Sequence, residues 1–199
     1  MKKLIILISV FVFLFIGAGL ASANLLVNGD AESGNLNPWD SAPFSYKATD
    51  VGAPQSGSYF FRLDNGLESD WMSQTGTTGL DVDNIFELSG WCQTDGYDVA
   101  RASISFYNAS NEEFGTIFSD IVSEFNAWEY FTISTVVPDN AVSWEVKLNP
   151  QEYHFGTSYN ADWDSLSLTS TPVPIPAAIV LLGSGLFGLV GFRRQLKKS

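Results

Sequence analysis

The sequence predicts an all-β fold, an antiparallel β-sandwich set between two apolar export segments. Three observations carry this. Between residues 24 and 171, short runs rich in aromatic and β-branched residues are separated by turn-formers. Within those runs, apolar and polar side chains alternate with a period of two, as in strands that bury one face. No period of 3.6 persists over a helix length.

In chain order, residues 1–23 come first. Met1-Lys2-Lys3 is a basic start, residues 4–20 are apolar, and Ala21-Ser22-Ala23 is a small-x-small exit, the pattern of a secretory signal peptide cleaved before Asn24. The competing reading is an uncleaved anchor, for which this run lies near the lower length limit. No cysteine follows it, which excludes lipoprotein processing. Strands are then expected at 58–63, 85–94, 102–107, 128–137, 142–148 and 163–168. Turns are expected at Asp64-Asn65-Gly66, Thr94-Asp95-Gly96, 108–111 and Pro138-Asp139-Asn140. Ala102, Ile104 and Phe106 alternate with Ser103, Ser105 and Tyr107, and Val142, Trp144, Val146 and Leu148 with Ser143, Glu145 and Lys147. Residues 24–170 are thus one β-sandwich domain, large enough for a full core.

Residues 171–199 close the chain with a Pro-containing linker, a transmembrane helix and a basic tail. From Val173 to Phe192 no residue is charged, and Arg193, Arg194, Lys197 and Lys198 follow. A run of about 20 apolar residues spans a bilayer core, and the positive-inside rule keeps the basic cluster cytoplasmic with the domain outside. Gly183-Ser184-Gly185-Leu186-Phe187-Gly188 matches the dinucleotide fingerprint, but no strand precedes it and no acid follows. Small residues there suit close helix approach or enzyme recognition.

Charge and composition remove several function classes. All 22 acidic residues lie in 24–171, opposed there only by Lys47, Arg62, Arg101 and Lys147, for a formal charge of −18. Nucleic-acid binding, which needs clustered Lys and Arg, is excluded. Cys92 is the only cysteine, so no disulfide scaffold exists; in a strand it reads as a small buried apolar residue. His154 is the only histidine, which rules out a histidine-based metal cluster and leaves a triad only that residue to use. No spacing singles out a carboxylate pair for glycoside hydrolysis.

Two resemblances sharpen the picture. Val173, Pro174 and Pro176, the helix at 177–192 and Arg193-Arg194 resemble the PEP-CTERM sorting signal of exopolysaccharide-producing Gram-negative bacteria, a tail also named the ice-binding protein C-terminal domain. Ile175 stands where that family usually has Glu, as in its V-P-[LI]-P-A variant. This resemblance implies recognition by an exosortase-type processing enzyme, attachment to the membrane through the C-terminal helix before cleavage, and delivery to the envelope, surface or extracellular matrix. Leu25 to Gly34, followed by Trp39, resembles the opening N-x-x-x-N-G-x-F-E-x-G…W of jelly-roll carbohydrate-binding modules, which are galactose-binding-like. Ser56-Gly57-Ser58-Tyr59 through Leu63 is similar to their H-S-G-x-Y-x-L segment, with Gln55 in place of the frequent His. Ser73-Gln74-Thr75, Phe86 to Trp91, Trp128 with Val137-Pro138, and Trp163 to Leu168 complete the order.

The module resemblance implies a jelly roll and an exported, non-catalytic glycan-binding function directed at exopolysaccharide or biofilm matrix. It also implies a structural Ca²⁺ held by Asp30, Glu32 and Asp164, with backbone oxygens near Ser56. Ca²⁺ takes six to eight oxygens at about 2.3–2.6 Å, and a cation would let carboxylates distant in sequence sit together. The competing reading has these acids capping turns or facing water. A glycan site needs aromatic faces for sugar rings and polar groups for hydroxyls. Trp71, Trp91, Tyr97, Tyr107 and Tyr130 supply the first, and Gln74, Gln93, Arg101 and Glu145 the second. Tyr107 and Tyr130 oppose Phe106 and Phe131 in parity, which points them away from the core, while Trp91 resembles a core tryptophan of the family. Two further readings stay open: a structural or adhesive matrix protein bridged by Ca²⁺, and a glycoside-active enzyme.

Overall fold

A computed structural model describes residues 23–41, 46–66, 71–94, 99–123, 126–150 and 159–172. The expected signal peptide and the sorting tail from Val173 to Ser199, with Pro174, Pro176, Arg193 and Arg194, lie outside these residues, as do Tyr97 and His154. Among the described residues no helix is long and apolar enough to cross a membrane.

Among the described residues there are ten strands: β1 (Asp40–Ser41), β2 (Tyr46–Thr49), β3 (Phe60–Gly66), β4 (Met72–Gly76), β5 (Ile85–Thr94), β6 (Ala100–Tyr107), β7 (Glu113–Phe118), β8 (Glu129–Val136), β9 (Ser143–Pro150) and β10 (Tyr159–Thr171). They form two five-stranded sheets, β1-β4-β9-β6-β7 and β2-β3-β10-β5-β8. Every pairing is antiparallel. The all-β sandwich expected from the sequence is therefore present.

Alternation decides which side chains enter the core. In β6, Ala102, Ile104 and Phe106 turn inward, and in β9, Trp144, Val146 and Leu148 do. The second sheet contributes Phe61, Leu63, Phe86, Leu88, Cys92, Phe131, Ile133 and Trp163. Phe86 crosses between the sheets, its ring 5.6 Å from that of Phe106 and 6.4 Å from that of Trp144. Cys92 is fully buried, and desolvation, then the fields of Asp162 and Glu129, push its thiol pKa up; it is an apolar packing residue, as expected.

All six expected strands appear, with ends shifted by a few residues. Asp64-Asn65-Gly66 differs: it does not turn but continues β3, where Gly66 pairs with Tyr159. Ladder pairing overrides a local turn preference here. Strands β1, β2 and β7 had no sequence signal, and β4 had only the Ser73-Gln74-Thr75 resemblance.

The N-terminal segment is pinned along β10. Leu25 N–H donates to the Leu168 carbonyl at 2.7 Å, and Leu166 N–H to the Gly29 carbonyl at 2.8 Å. A Cβ at Gly29 would collide with the Leu166 carbonyl oxygen, which explains the glycine of the Asn28-Gly29 motif. Asn28 takes a left-handed φ of 54°. Its amide donates to the carbonyls of Asn35 and Asn37, and its carbonyl accepts from the Trp39 indole at 3.2 Å. The opening motif thus stitches the chain's start to the domain.

Candidate functional site

The outward face of the first sheet is assembled from residues of opposite parity to the core. On β6 these are Arg101, Ser103, Ser105 and Tyr107; on β9 they are Ser143, Glu145 and Lys147. Register sets them in rows. Thr75, Glu145, Ser105 and Thr116 lie side by side across β4, β9, β6 and β7, and Ser73, Lys147, Ser103 and Phe118 form the next row. Ser103 and Ser105 are only 3% and 6% exposed although they face away from the core. Small hydroxyl residues between longer neighbours make a floor, and the longer neighbours make walls.

At one end of this face lies a groove of about 560 Å³, lined by Thr75, Gly76, Thr77, Tyr107, Asn111, Ser143 and Glu145. The Tyr107 hydroxyl donates to Glu145 Oε2 at 2.7 Å and lies 3.4 Å from Glu113 Oε2. Desolvation, then Glu145 and Glu113, push the phenol pKa up, so the hydroxyl remains a donor. Asn108 shapes the turn after β6, its side-chain oxygen accepting from the N–H groups of Ser110 and Glu112. Asn111, in a left-handed conformation, reaches the rim from that turn. Trp71 stands at the other end, with Lys147 Nζ 5.4 Å from its ring centroid and 3.5 Å from Glu145 Oε2. Opposite, the Arg101 guanidinium lies 3.7 Å from the centre of the Phe118 ring, which is 45% exposed.

The expected aromatic set does not share one site. Trp71 and Tyr107 lie on the first sheet's outer face. Trp91 and Tyr130 lie on the outer face of the second sheet, as direct cross-strand partners with rings 5.3 Å apart. Tyr130 is 52% exposed, and Trp91 is half-buried. Trp91 is therefore not a core tryptophan: Trp39, Trp144 and Trp163 occupy that role. The parity of Tyr107 and Tyr130 placed both outside the core, as found. Gln74 points inward instead, bracketing the N–H and carbonyl of Val27 at 2.8 and 2.9 Å. Gln93 joins Arg62 on Asp162, which receives the guanidinium through both carboxylate oxygens at 2.8 Å. Sequence reasoning missed Phe118 and the floor serines; parity with Tyr107 was the available signal for Ser103 and Ser105, and β7 carried none for Phe118.

Of the three acids expected to bind calcium, Glu32 and Asp164 both reach the turn at 56–59, one from near each end of the domain. Glu32 Oε1 accepts from the N–H groups of Ser58 and Tyr59, both at 2.8 Å. Those two donors, Tyr59 foremost, hold its pKa below the usual carboxylate range. Asp164 accepts from Ser56 N–H at 2.9 Å and from Ser165 N–H at 2.6 Å. Its side chain is wholly buried, and desolvation raises its pKa against the pull of those donors. The Ser56 and Ser165 hydroxyls meet beside it at 2.7 Å. Asp30 is exposed and caps its own turn through Glu32 N–H. Among the described residues no three His, Cys, Asp or Glu side chains converge as a metal-ligating group. The oxygen-only chemistry around Asp164 suits a hard cation, and two carboxylates with serine hydroxyls are the groups that would hold it.

No protein-family profile matches this chain, and no curated protein does. Solved structures share its fold. The xylan-binding CBM22-1 domain of Paenibacillus barcinonensis Xyn10C aligns over 79% of this chain and 100% of its own, with TM-score 0.61 and 12% identity. TmCBM61, solved with β-1,4-galactotriose, aligns over 74% of this chain and 98% of its own, with TM-score 0.54 and 14% identity. The enzymatically active domain of bacteriophage CBA120 tailspike protein 4 aligns over 74% of this chain at TM-score 0.61 and 16% identity, but over only 21% of its own length. The sandwich thus shares its fold with carbohydrate-binding modules and with part of a tailspike protein.

Proposed function

We propose that this domain is an exported, non-catalytic glycan-binding module whose site is the outer face of the first sheet, with Tyr107 and Glu145 in its groove and Trp71 at the face's other end as the principal contacts. One observation carries the reading: a phenol held to a carboxylate at 2.7 Å over a floor of serine and threonine hydroxyls, with an aromatic ring on the same face. Aromatic rings take the apolar faces of sugars, and paired donors and acceptors take the hydroxyls. Xylan and galactotriose are named for two proteins of this fold. Glu145, which lines the groove, and Glu113 on the neighbouring strand both approach a single phenol hydroxyl, at 2.7 and 3.4 Å. That position is where a hydrolase would need an open space for the scissile bond, which favours binding over cleavage. A broad glycan array probed with folded protein in calcium tests this. Binding that Trp71→Ala and Tyr107→Ala each abolish supports the reading; absence of binding to any polysaccharide, or hydrolysis of the bound one, removes it.

The export signal and the sorting tail belong to the same proposal. An exosortase-type enzyme would recognise the Val173-Pro174 and Pro176 motif with Arg193-Arg194, releasing a membrane-held precursor to the exopolysaccharide matrix. Fractionation of cells carrying Pro174→Ala and Pro176→Ala tests it; unchanged release of the domain counts against the tail's role. A structural, adhesive matrix role is favoured by a different observation, that Glu32 and the wholly buried Asp164 both bind the 56–59 turn, Asp164 at Ser56 and Glu32 at Ser58 and Tyr59. Calcium held there would brace the two ends of the domain against each other. Calcium-independent stability and no calcium-dependent association would remove that reading.

A further inference from the structure

The second sheet presents an aromatic surface that the groove does not use. Strand parity turns Trp91 and Tyr130 outward as direct cross-strand partners, their rings edge-on at 5.3 Å. Tyr130 is exposed and Trp91 half-buried. Among the described residues neither the Trp91 indole N–H nor the Tyr130 hydroxyl has a hydrogen-bond partner. Apolar ring surface and open polar tips therefore lie side by side.

The surroundings hold this pair in place. Asp164, the neighbour of Trp91 on β10, is buried under the 56–59 turn through the Ser56 N–H. Two residues before Tyr130, the Trp128 indole donates to the Ala53 carbonyl at 3.0 Å, and its ring meets the buried Phe60 edge-on at 6.0 Å. Toward the other end of the strands the face is regular and hydroxylated. Ser167, Ser89 and Thr132 form one row across β10, β5 and β8, and Thr169, Glu87 and Ser134 form the next. Rows on one face follow at about 6–7 Å, so a sugar ring stacked on Tyr130 has hydroxyl partners within reach along the strands.

The make-up of this face selects its occupant. A second copy of the chain would need about 800 Å² of well-packed surface per partner. Among the described residues of these strands, only Tyr130 and Val136 are large hydrophobic side chains left exposed. Each copy would also bring a charge of −18 over residues 24–171, which opposes self-association. A neutral ligand with apolar ring faces and a fringe of hydroxyls meets neither objection. We infer that the Trp91–Tyr130 face is a second polysaccharide site and that the domain joins two glycan chains. The chemistry of the ligand rests on the glycan-binding reading above. The two sites occupy opposite outer faces of a sandwich whose sheets stand about 10 Å apart. One extended chain cannot engage both, so the pair bridges chains rather than adding avidity on one. An open platform encloses less of a sugar than a groove does, which makes this the weaker site.

Calorimetry of the full chain with xylohexaose, and light scattering of its mixtures with soluble xylan, test this. Two classes of site are expected, the groove binding about tenfold more tightly than the Trp91–Tyr130 face, with scattering that rises as xylan chains are bridged. Tyr130→Ala and Trp91→Ala should abolish the weak class and the scattering while leaving the tight class within about twofold. Tyr107→Ala should abolish the tight class and the scattering and keep the weak class. Thermal melts check folding, and Tyr130→Ala, at an exposed position, carries the test if Trp91→Ala does not fold. A single class that Tyr107→Ala removes and Tyr130→Ala leaves unmoved overturns the inference and leaves the groove reading standing. A concentration-dependent dimer that Tyr130→Ala dissolves gives the face to a second copy and likewise overturns it. No binding of xylohexaose to either face overturns the inference, and a blank glycan array beside it removes both readings.

Discussion

Two carboxylates on one turn respond to pH with opposite sign. The Asp164 pKa is raised by burial, so the folded protein holds that proton to higher pH than the unfolded chain does. Stability is accordingly lost as pH rises from the unfolded carboxylate range through the folded value. The Glu32 pKa is lowered by two backbone donors. Its contribution is present above the unfolded value and is lost as pH falls through the folded one. Urea denaturation between pH 3 and 8 in a chelating buffer separates them, roughly across the span where carboxylates titrate. Asp164→Asn should gain on the wild type as pH rises, and Glu32→Gln should fall behind it over the same direction. Parallel curves for wild type and either variant would show that the residue does not titrate differently on folding.

At the scale of strands, close packing meets the groove at Gly76. It lies directly opposite Trp144 in the β4–β9 pair, and a Cβ there would run into the indole ring. The Trp144 indole is anchored by its N–H to the Thr78 carbonyl at 3.0 Å, so it has little freedom to yield. Gly76→Ala should cost about 1–3 kcal/mol, the usual penalty of overpacking, read as a lower urea midpoint at unchanged slope. Tyr107→Phe makes the complementary prediction. It keeps the ring and removes the donor to Glu145, so stability should change by about 1 kcal/mol or less while glycan affinity drops markedly in calorimetry. Equal losses of both would mean that the phenol is a structural brace. Strand parity made Tyr107 legible in the sequence, because alternation in β6 fixes which side chains leave the core. It could not say which sheet a strand joins, so Trp71 and Tyr107 were grouped with Trp91 and Tyr130, which the topology sends to the opposite face. Strand β7 was illegible for a related reason: at the sheet edge, Glu113–Phe118 buries neither face fully and shows no periodic pattern. Its Phe118 was hidden with it.

For the molecule as a whole, the decisive imbalance is 22 acids against four cations across residues 24–171. Like charges at this density repel in the compact state, and monovalent salt should raise the melting temperature by screening them. Specific calcium binding would add to this in a distinguishable way. A cation held at the 56–59 turn binds the folded state alone and stabilises it by mass action, with a midpoint set by its affinity rather than by ionic strength. It would also neutralise the cost of burying Asp164, so that in calcium the wild type should no longer lose stability relative to Asp164→Asn as pH rises. The measurement is a set of melts at matched ionic strength, in sodium chloride with chelator and in millimolar calcium chloride, on wild type, Asp164→Asn, Glu32→Gln and Asp30→Asn. A saturable rise with calcium in the wild type, absent in Asp164→Asn and Glu32→Gln, would assign the site to the two acids that bind the turn. The Asp30→Asn curve decides whether the exposed acid belongs with them. If calcium and sodium act alike once ionic strength is matched, the acids at the turn are backbone anchors alone, and the join between the domain's two ends rests on the backbone bonds of Leu25 with Leu168 and Gly29 with Leu166.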